Sequence, residues 1–169
     1  GEQALQQLVG RYGLETFEAC TRELLDYTEQ LIRAQIATWP DGESSFTDYM
    51  DSDGCGGPRT KIQCTITVAG DHLTVDFTGS APQVRGSLNC TESFTASVVY
   101  LCVRAVMRED IPNTAGMFRP IKVIAPSGTV LNGKLPAASS MRGVTGFRTA
   151  DVVFGALAQI VPTQVKAAG

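Results

Sequence analysis

Histidine is nearly absent from this chain: His72 stands alone among 169 residues. One imidazole cannot build a His-rich metal site, and it leaves a Ser-His-Asp or Cys-His arrangement unsupported. Cysteine occurs five times, at positions 20, 55, 64, 90 and 102, and never as a CxxC pair. That odd, scattered set fits reduced thiols better than a zinc knuckle or a disulfide framework, so small buried apolar thiols are expected. Positive charge is not in excess, since 14 Lys and Arg stand against 17 Asp and Glu for a net charge of -3. The chain therefore lacks the basic footprint of a nucleic-acid binder, and no DNA or RNA partner is expected. No apolar run approaches the ~18 residues of a membrane span. The opening GEQALQQ has neither the basic nor the apolar region of a signal peptide. No membrane association and a cytoplasmic location are the expectations.

What is present reads as an ordinary globular composition, 43% hydrophobic and 18% charged, in a length that suits a single domain or a piece of one. Residues 2 to about 38 read as helical with a break at Gly13. Phe17, Cys20, Leu24, Tyr27 and Leu31 recur at three- and four-residue steps, and Glu18/Arg22 and Glu29/Arg33 make i,i+4 pairs on another face. Trp39-Pro40-Asp41-Gly42 ends the helix, and a loose strand, Ser45 to Asp51, follows. Ile62, Cys64, Ile66 and Val68 alternate with polar residues, as do Leu73, Val75 and Phe77 after Ala69-Gly70-Asp71-His72. The spacing predicts a β-hairpin, 60–69 with 72–78, with His72 exposed at its turn. SFTASVVYLCVRAVM, 93–107, predicts an apolar helix buried on most sides. Short strands are expected at Ile121 to Ala125 and Thr129 to Leu131, and Thr149 is a plausible N-cap for a last helix ending before Pro162. The fold class is α+β: N-terminal amphipathic helices, an antiparallel hairpin with short strands, a buried apolar helix and a C-terminal helix.

Two glycine-containing segments invite a chemical reading. DSDGCGG, 51–57, fails as a calcium loop, because its fifth position is Cys55 and its twelfth is Ile62. A turn between strands with solvated carboxylates is expected instead. DFTGSAPQVRGSLNC, Asp76 to Cys90, is no P-loop, since Gly79 and Gly86 are wrongly spaced and no Lys precedes Ser87. Its Asp76, Gln83, Arg85 and Asn89 are the candidate site residues. Gln83 and Asn89 have the amide groups to bind a carbonyl or to brace the loop, with bracing favoured, while Gly79 and Gly86 permit positive φ. Arg142 and Arg148, in PAASSMRGVTGFRTAD, sit among small residues that allow an anion or another subunit to approach. Solvated arginines or an intersubunit ion pair are favoured over a substrate clamp.

Four segments, ELLDYTEQLIRAQIATWPDG, LTVDFTGSAPQVRGSLNCTESFT, AGMFRPIKVIAPSGTVLN and GFRTADVVFGALAQIVP, in this order and spacing, resemble the hydantoinase B/oxoprolinase family. The similarity covers essentially the whole chain. It implies an interior fragment, 1–169, of a longer hydantoinase B-type subunit, and the missing initiator Met fits that expectation. It further implies ATP-dependent opening of a cyclic amide, with phosphorylation by a hydantoinase A-type partner in a hetero-oligomer. The alternatives are a fragment of an acetone/acetophenone carboxylase-like subunit, or a noncatalytic scaffold module. ATP-Mg and a divalent metal are implied for the parent complex, bound outside this segment. No cofactor and no metal ligand are assigned within it, and catalytic residues are not identified.

Overall fold

The computed structural model describes residues 1–107 and 111–165, and within them the α+β expectation holds. Helix α1 (Glu2–Tyr12) and helix α2 (Leu14–Ile36) are separated at Gly13. Gly13 has φ 82°, a left-handed conformation that costs glycine nothing and any L side chain strain. Strands β1 (Gly42–Met50), β2 (Thr60–Ala69) and β3 (His72–Asp76) form an antiparallel run. Strand β4 (Ile121–Ile124) then joins β3 in parallel, with Leu73 opposite Ile121 and Val75 opposite Val123. The order across the sheet is β1-β2-β3-β4.

Alternation in β2 buries Ile62, Cys64, Ile66 and Val68 on one face, as its period-two pattern requires. Helix α4 (Arg142–Ile160) packs across β1 and β2, and helix α3 (Glu92–Val106) packs against α4. Val99, Cys102 and Val103 of α3, with Val152, Val153, Ala156 and Leu157 of α4, complete the core around Phe77. Thr91 caps α3 by accepting a hydrogen bond from the Phe94 amide at 3.3 Å. A short 3-10 turn, Ala115–Phe118, lies against α2. Arg119 beside it bonds Asp26 at 2.7 Å and Glu29 at 2.9 Å, fastening the β4 approach to that helix.

Several expectations are corrected. Helix α4 starts at Arg142, so Thr149 is interior and its hydroxyl donates to the Thr145 carbonyl at 2.8 Å. Tertiary packing overrides the capping signal, because Gly146 lets the Phe94 ring lie directly against α4. Thr129 to Leu131 is no strand: it makes isolated bridges to Pro82 and Asn132, and the Val130 amide donates to the Ala81 carbonyl at 3.0 Å. Helix α3, by contrast, is buried or half-buried on most sides, as expected, and only one line along it, Ser93, Ser97, Leu101 and Ala105, is exposed, with Leu101 67% exposed. The apolar stripe of α2 is likewise bare at Leu24 and Tyr27, because α2 meets the core only from Thr28 onward. Cys64, Cys90 and Cys102 are buried, with their thiols pushed up to about 12, 11 and 12 by desolvation. Cys20 and Cys55, by contrast, are exposed, one on the bare stripe and one at a loop tip.

Phe77 is fully buried. Phe77→Ala is expected to lower the unfolding free energy by about 3–5 kcal/mol in denaturant titration. A loss below ~1 kcal/mol, the scale of surface changes, would contradict the core placement.

Candidate functional site

The 76–90 segment leaves β3 through a turn that Asp76 fixes, its carboxylate accepting the Thr78 amide at 2.8 Å. Ser80 then bonds both the amide and the carbonyl of Gln63 at 3.1 Å, and the Ala81 amide donates to the Lys61 carbonyl at 2.8 Å. The segment is thereby sewn along the outer end of β2 before it turns inward.

Asn89 is wholly buried, and its side chain is spent on backbone groups. Its Oδ1 accepts the Val84 amide at 2.8 Å. Its Nδ2 lies 3.0 Å from the Val84 carbonyl, 3.1 Å from that of Gly86 and 2.9 Å from that of Ala138. With both amide hydrogens committed and its oxygen occupied, this side chain has nothing left to donate to a ligand. Gln83 is exposed, and its Oε1 accepts the Lys134 amide at 2.8 Å, leaving its Nε2 open. Asn89 thus braces the loop from inside, while Gln83 stands on its outer wall.

The central residue was not legible as such. Asp53 is 9% exposed, and its carboxylate gathers amides from two loops. Oδ1 accepts Cys55 N at 2.8 Å and Gly57 N at 3.2 Å, while Oδ2 accepts Gly86 N at 3.2 Å. These amides, that of Cys55 foremost, hold the carboxyl below its ordinary range. The expectation of solvated carboxylates in 51–57 is therefore wrong at Asp53, though Asp51 is solvated. Gly86 also differs from expectation: its φ is not positive, unlike that of Gly79 at 93°. Gly86 is needed for close approach, because an added Cβ would collide with the Asp53 carbonyl oxygen.

Between the two joined loops lies a pocket of about 360 Å³. Pro58, Ala81, Pro82 and Val84 give it an apolar lining, with Arg59 and Arg85 as its cations and Cys55 and Thr60 beside them. Arg59 is held by Asp51 at 3.2 Å and over the Tyr49 ring at 4.9 Å. Arg85 is exposed and has no hydrogen-bond or ion-pair partner among the described residues. Of the residues singled out from sequence, Gln83 and Arg85 meet here, with Asn89 behind them. Asp76 lies at the β3 end, outside the lining.

Arg142 and Arg148 are on α4 and do not reach this pocket. Arg142 donates to the Ser139 carbonyl at 3.2 Å and sits 5.8 Å from the Phe94 ring centre. Arg148 pairs with Asp48 at 2.5 Å and Asp151 at 3.4 Å within the chain, so its charge is already answered. His72 is exposed at the β2–β3 turn, as expected. Its Nδ1 faces Asp71 at 2.5 Å and its Nε2 faces Arg33 at 2.9 Å. Among the described residues no three His, Cys, Asp or Glu side chains cluster so as to hold a metal ion. The donors present do not fit a catalytic metal.

Asn89→Ala should lower stability by about 1–3 kcal/mol for each buried backbone group it strands, whereas Gln83→Ala should cost under ~1 kcal/mol, both by denaturant titration. Equal losses at the two positions would contradict this division of roles. For Asp53 the sign follows from its depressed folded-state pKa. Its contribution is present above the ordinary aspartate range and is lost as pH falls through the lowered folded value. Asp53→Asn should therefore flatten the acid limb of a melting-temperature profile, and an unchanged limb would contradict the assignment.

The Hydantoinase B/oxoprolinase family matches residues 1–169. The B-type component of a putative D-/L-hydantoinase from Pseudomonas sp. (strain NS671) is 38% identical over 99% of this chain and 30% of its own length. The beta chain of the caprolactamase of Pseudomonas jessenii is 33% identical over 99% of this chain and 29% of its own. This chain thus spans under a third of those relatives. The crystal structure of the ATP-dependent caprolactamase from Pseudomonas jessenii superposes with a TM-score of 0.87 at 31% identity, covering 96% of this chain and 28% of that one. Acetone carboxylase in its nucleotide-free form has the same fold, with a TM-score of 0.82 at 16% identity over 98% of this chain and 24% of that one. With a family match from end to end and relatives above 30% identity on both sequence and structure, the chain belongs to the hydantoinase B/oxoprolinase family.

Proposed function

We propose that this chain is part of the B-type component of an ATP-dependent cyclic-amide hydrolase of the hydantoinase/5-oxoprolinase type. The observation that carries the reading is the end-to-end match to the B-type component of a hydantoinase and the beta chain of a caprolactamase, at 38% and 33% identity. A hydantoinase A-type partner performs the phosphorylation in a cytoplasmic hetero-oligomer, and the B-type component completes ring opening. ATP-Mg and a divalent metal belong to parts of the complex outside this segment. The segment's own contribution is a rigid two-loop wall, held by Asp53 and Asn89, and the pocket it borders. The acetone carboxylase likeness is one of fold and adds no second activity.

The test is reconstitution of the complete B-type component with its A-type partner, assayed on hydantoin, 5-oxoproline and caprolactam with and without ATP. Ring opening that needs ATP and both components is expected, with no turnover by this chain alone. ATP-driven carboxylation of acetone without ring opening of any cyclic amide would overturn the reading, as would turnover by the chain without a partner.

A further inference from the structure

The pocket between the 53–60 and 81–85 loops has a charge pattern that stands apart from whichever ring the complex opens. Its lining holds two guanidinium groups and one carboxylate, and these do not cancel locally. The carboxylate, Asp53, faces inward and is occupied by the Cys55, Gly57 and Gly86 amides. Arg59 has Asp51 at 3.2 Å, but Arg85 has no partner among the described residues. One unanswered cation therefore borders the pocket in a chain whose net charge is -3.

A second, independent feature is the neutral part of the lining, where Gln83 presents an Nε2 with no hydrogen-bond partner among the described residues. Pro58, Ala81, Pro82 and Val84 supply an apolar wall suited to a hydrocarbon body, and about 360 Å³ is the size of a small-molecule site.

We infer that this pocket binds a small molecule with an apolar body and a single carboxylate, which Arg85 receives as a forked ion pair. One unanswered positive charge matches a monoanion better than a dianionic phosphate. The open Nε2 of Gln83 is the neutral donor that completes its recognition. Arg85 is thus the specificity-determining residue of the site.

Cys55, exposed in the same lining, is a built-in reporter. In a Cys20→Ser background it is the exposed thiol left among the described residues, since Cys64, Cys90 and Cys102 are buried with raised pKa values. Its alkylation by iodoacetate is compared with that by neutral iodoacetamide; each reaction forms one C–S bond and expels iodide. The anionic-to-neutral rate ratio at Cys55 should exceed that at Cys20, measured in Cys55→Ser, by about threefold or more at low salt. Arg85→Ala, an exposed position, should bring the two ratios together without changing the melting temperature. 5-Oxoproline should slow alkylation of Cys55 by iodoacetamide, whereas uncharged 2-pyrrolidone and inorganic phosphate should not. Arg85→Lys should keep the rate ratio and weaken the protection at least severalfold, because it retains charge without the planar fork. Equal ratios at the two cysteines, equal protection by 2-pyrrolidone, or stronger protection by phosphate would each overturn the inference. Because no readout uses ATP or turnover, failure here is separable from failure of the cyclic-amide assay.

Discussion

Three backbone amides converging on one buried carboxylate organise this molecule's working surface. A carboxylate taken out of water must recover its solvation from the protein, and charge-assisted bonds to amides are a strong way to do it. Asp53 takes two amides from its own loop and one from Gly86, 33 positions along the chain. The third bond matters most for architecture, because it ties the 53–57 loop directly to the segment that Ser80 and Ala81 hold along β2. Gly86 is the counterpart of that bond: only a residue without a side chain lets the two backbones come close enough for it.

Around this clasp the polar side chains divide their work by burial. Asn89 is satisfied on every side and fixes the path of the loop, while Ser80 and Asp76 anchor its beginning. Arg85, on the outward side, is left without such duties. A rigid frame carrying a few uncommitted polar groups is what molecular recognition needs, since little ordering remains to be done when a partner arrives. The 51–57 stretch supplies one side of the pocket through Asp53, Cys55, Gly56 and Gly57.

How much of this was legible in the sequence follows the range of the interaction concerned. The β2–β3 hairpin and the break at Gly13 were readable because each is set by neighbours a few residues apart. The parallel β3–β4 pairing was not, since no local pattern names a partner across a long connection. Asp53 shows both sides of this. Its bonds to Cys55 and Gly57 follow the ordinary habit of Asp before glycine-rich turns, whereas its bond to Gly86 has no local signature. Thr149 misled because a good capping residue is also tolerated inside a helix when it can bond back to the preceding turn. The apolar stripe of α2 gave the right element but could not say where the core ends.

The parallel pairing of β3 with β4 has a kinetic consequence. Everything from Phe77 to Pro120, including the 79–89 loop and helix α3, lies inside the loop that this pairing closes. Closing so long a loop spends chain entropy before any contact repays it, so the hairpin forms readily while the β4 edge is won late. The pocket's two walls are anchored differently: the 51–57 turn joins β1 to β2, whereas the opposite loop is tied both to β2, through Ser80 and Ala81, and to the segment after β4, through Gln83 and Asn89. The second wall is therefore finished only when the segment after β4 is in place, and a partly opened chain leaves Gln83 and Asn89 short of backbone partners.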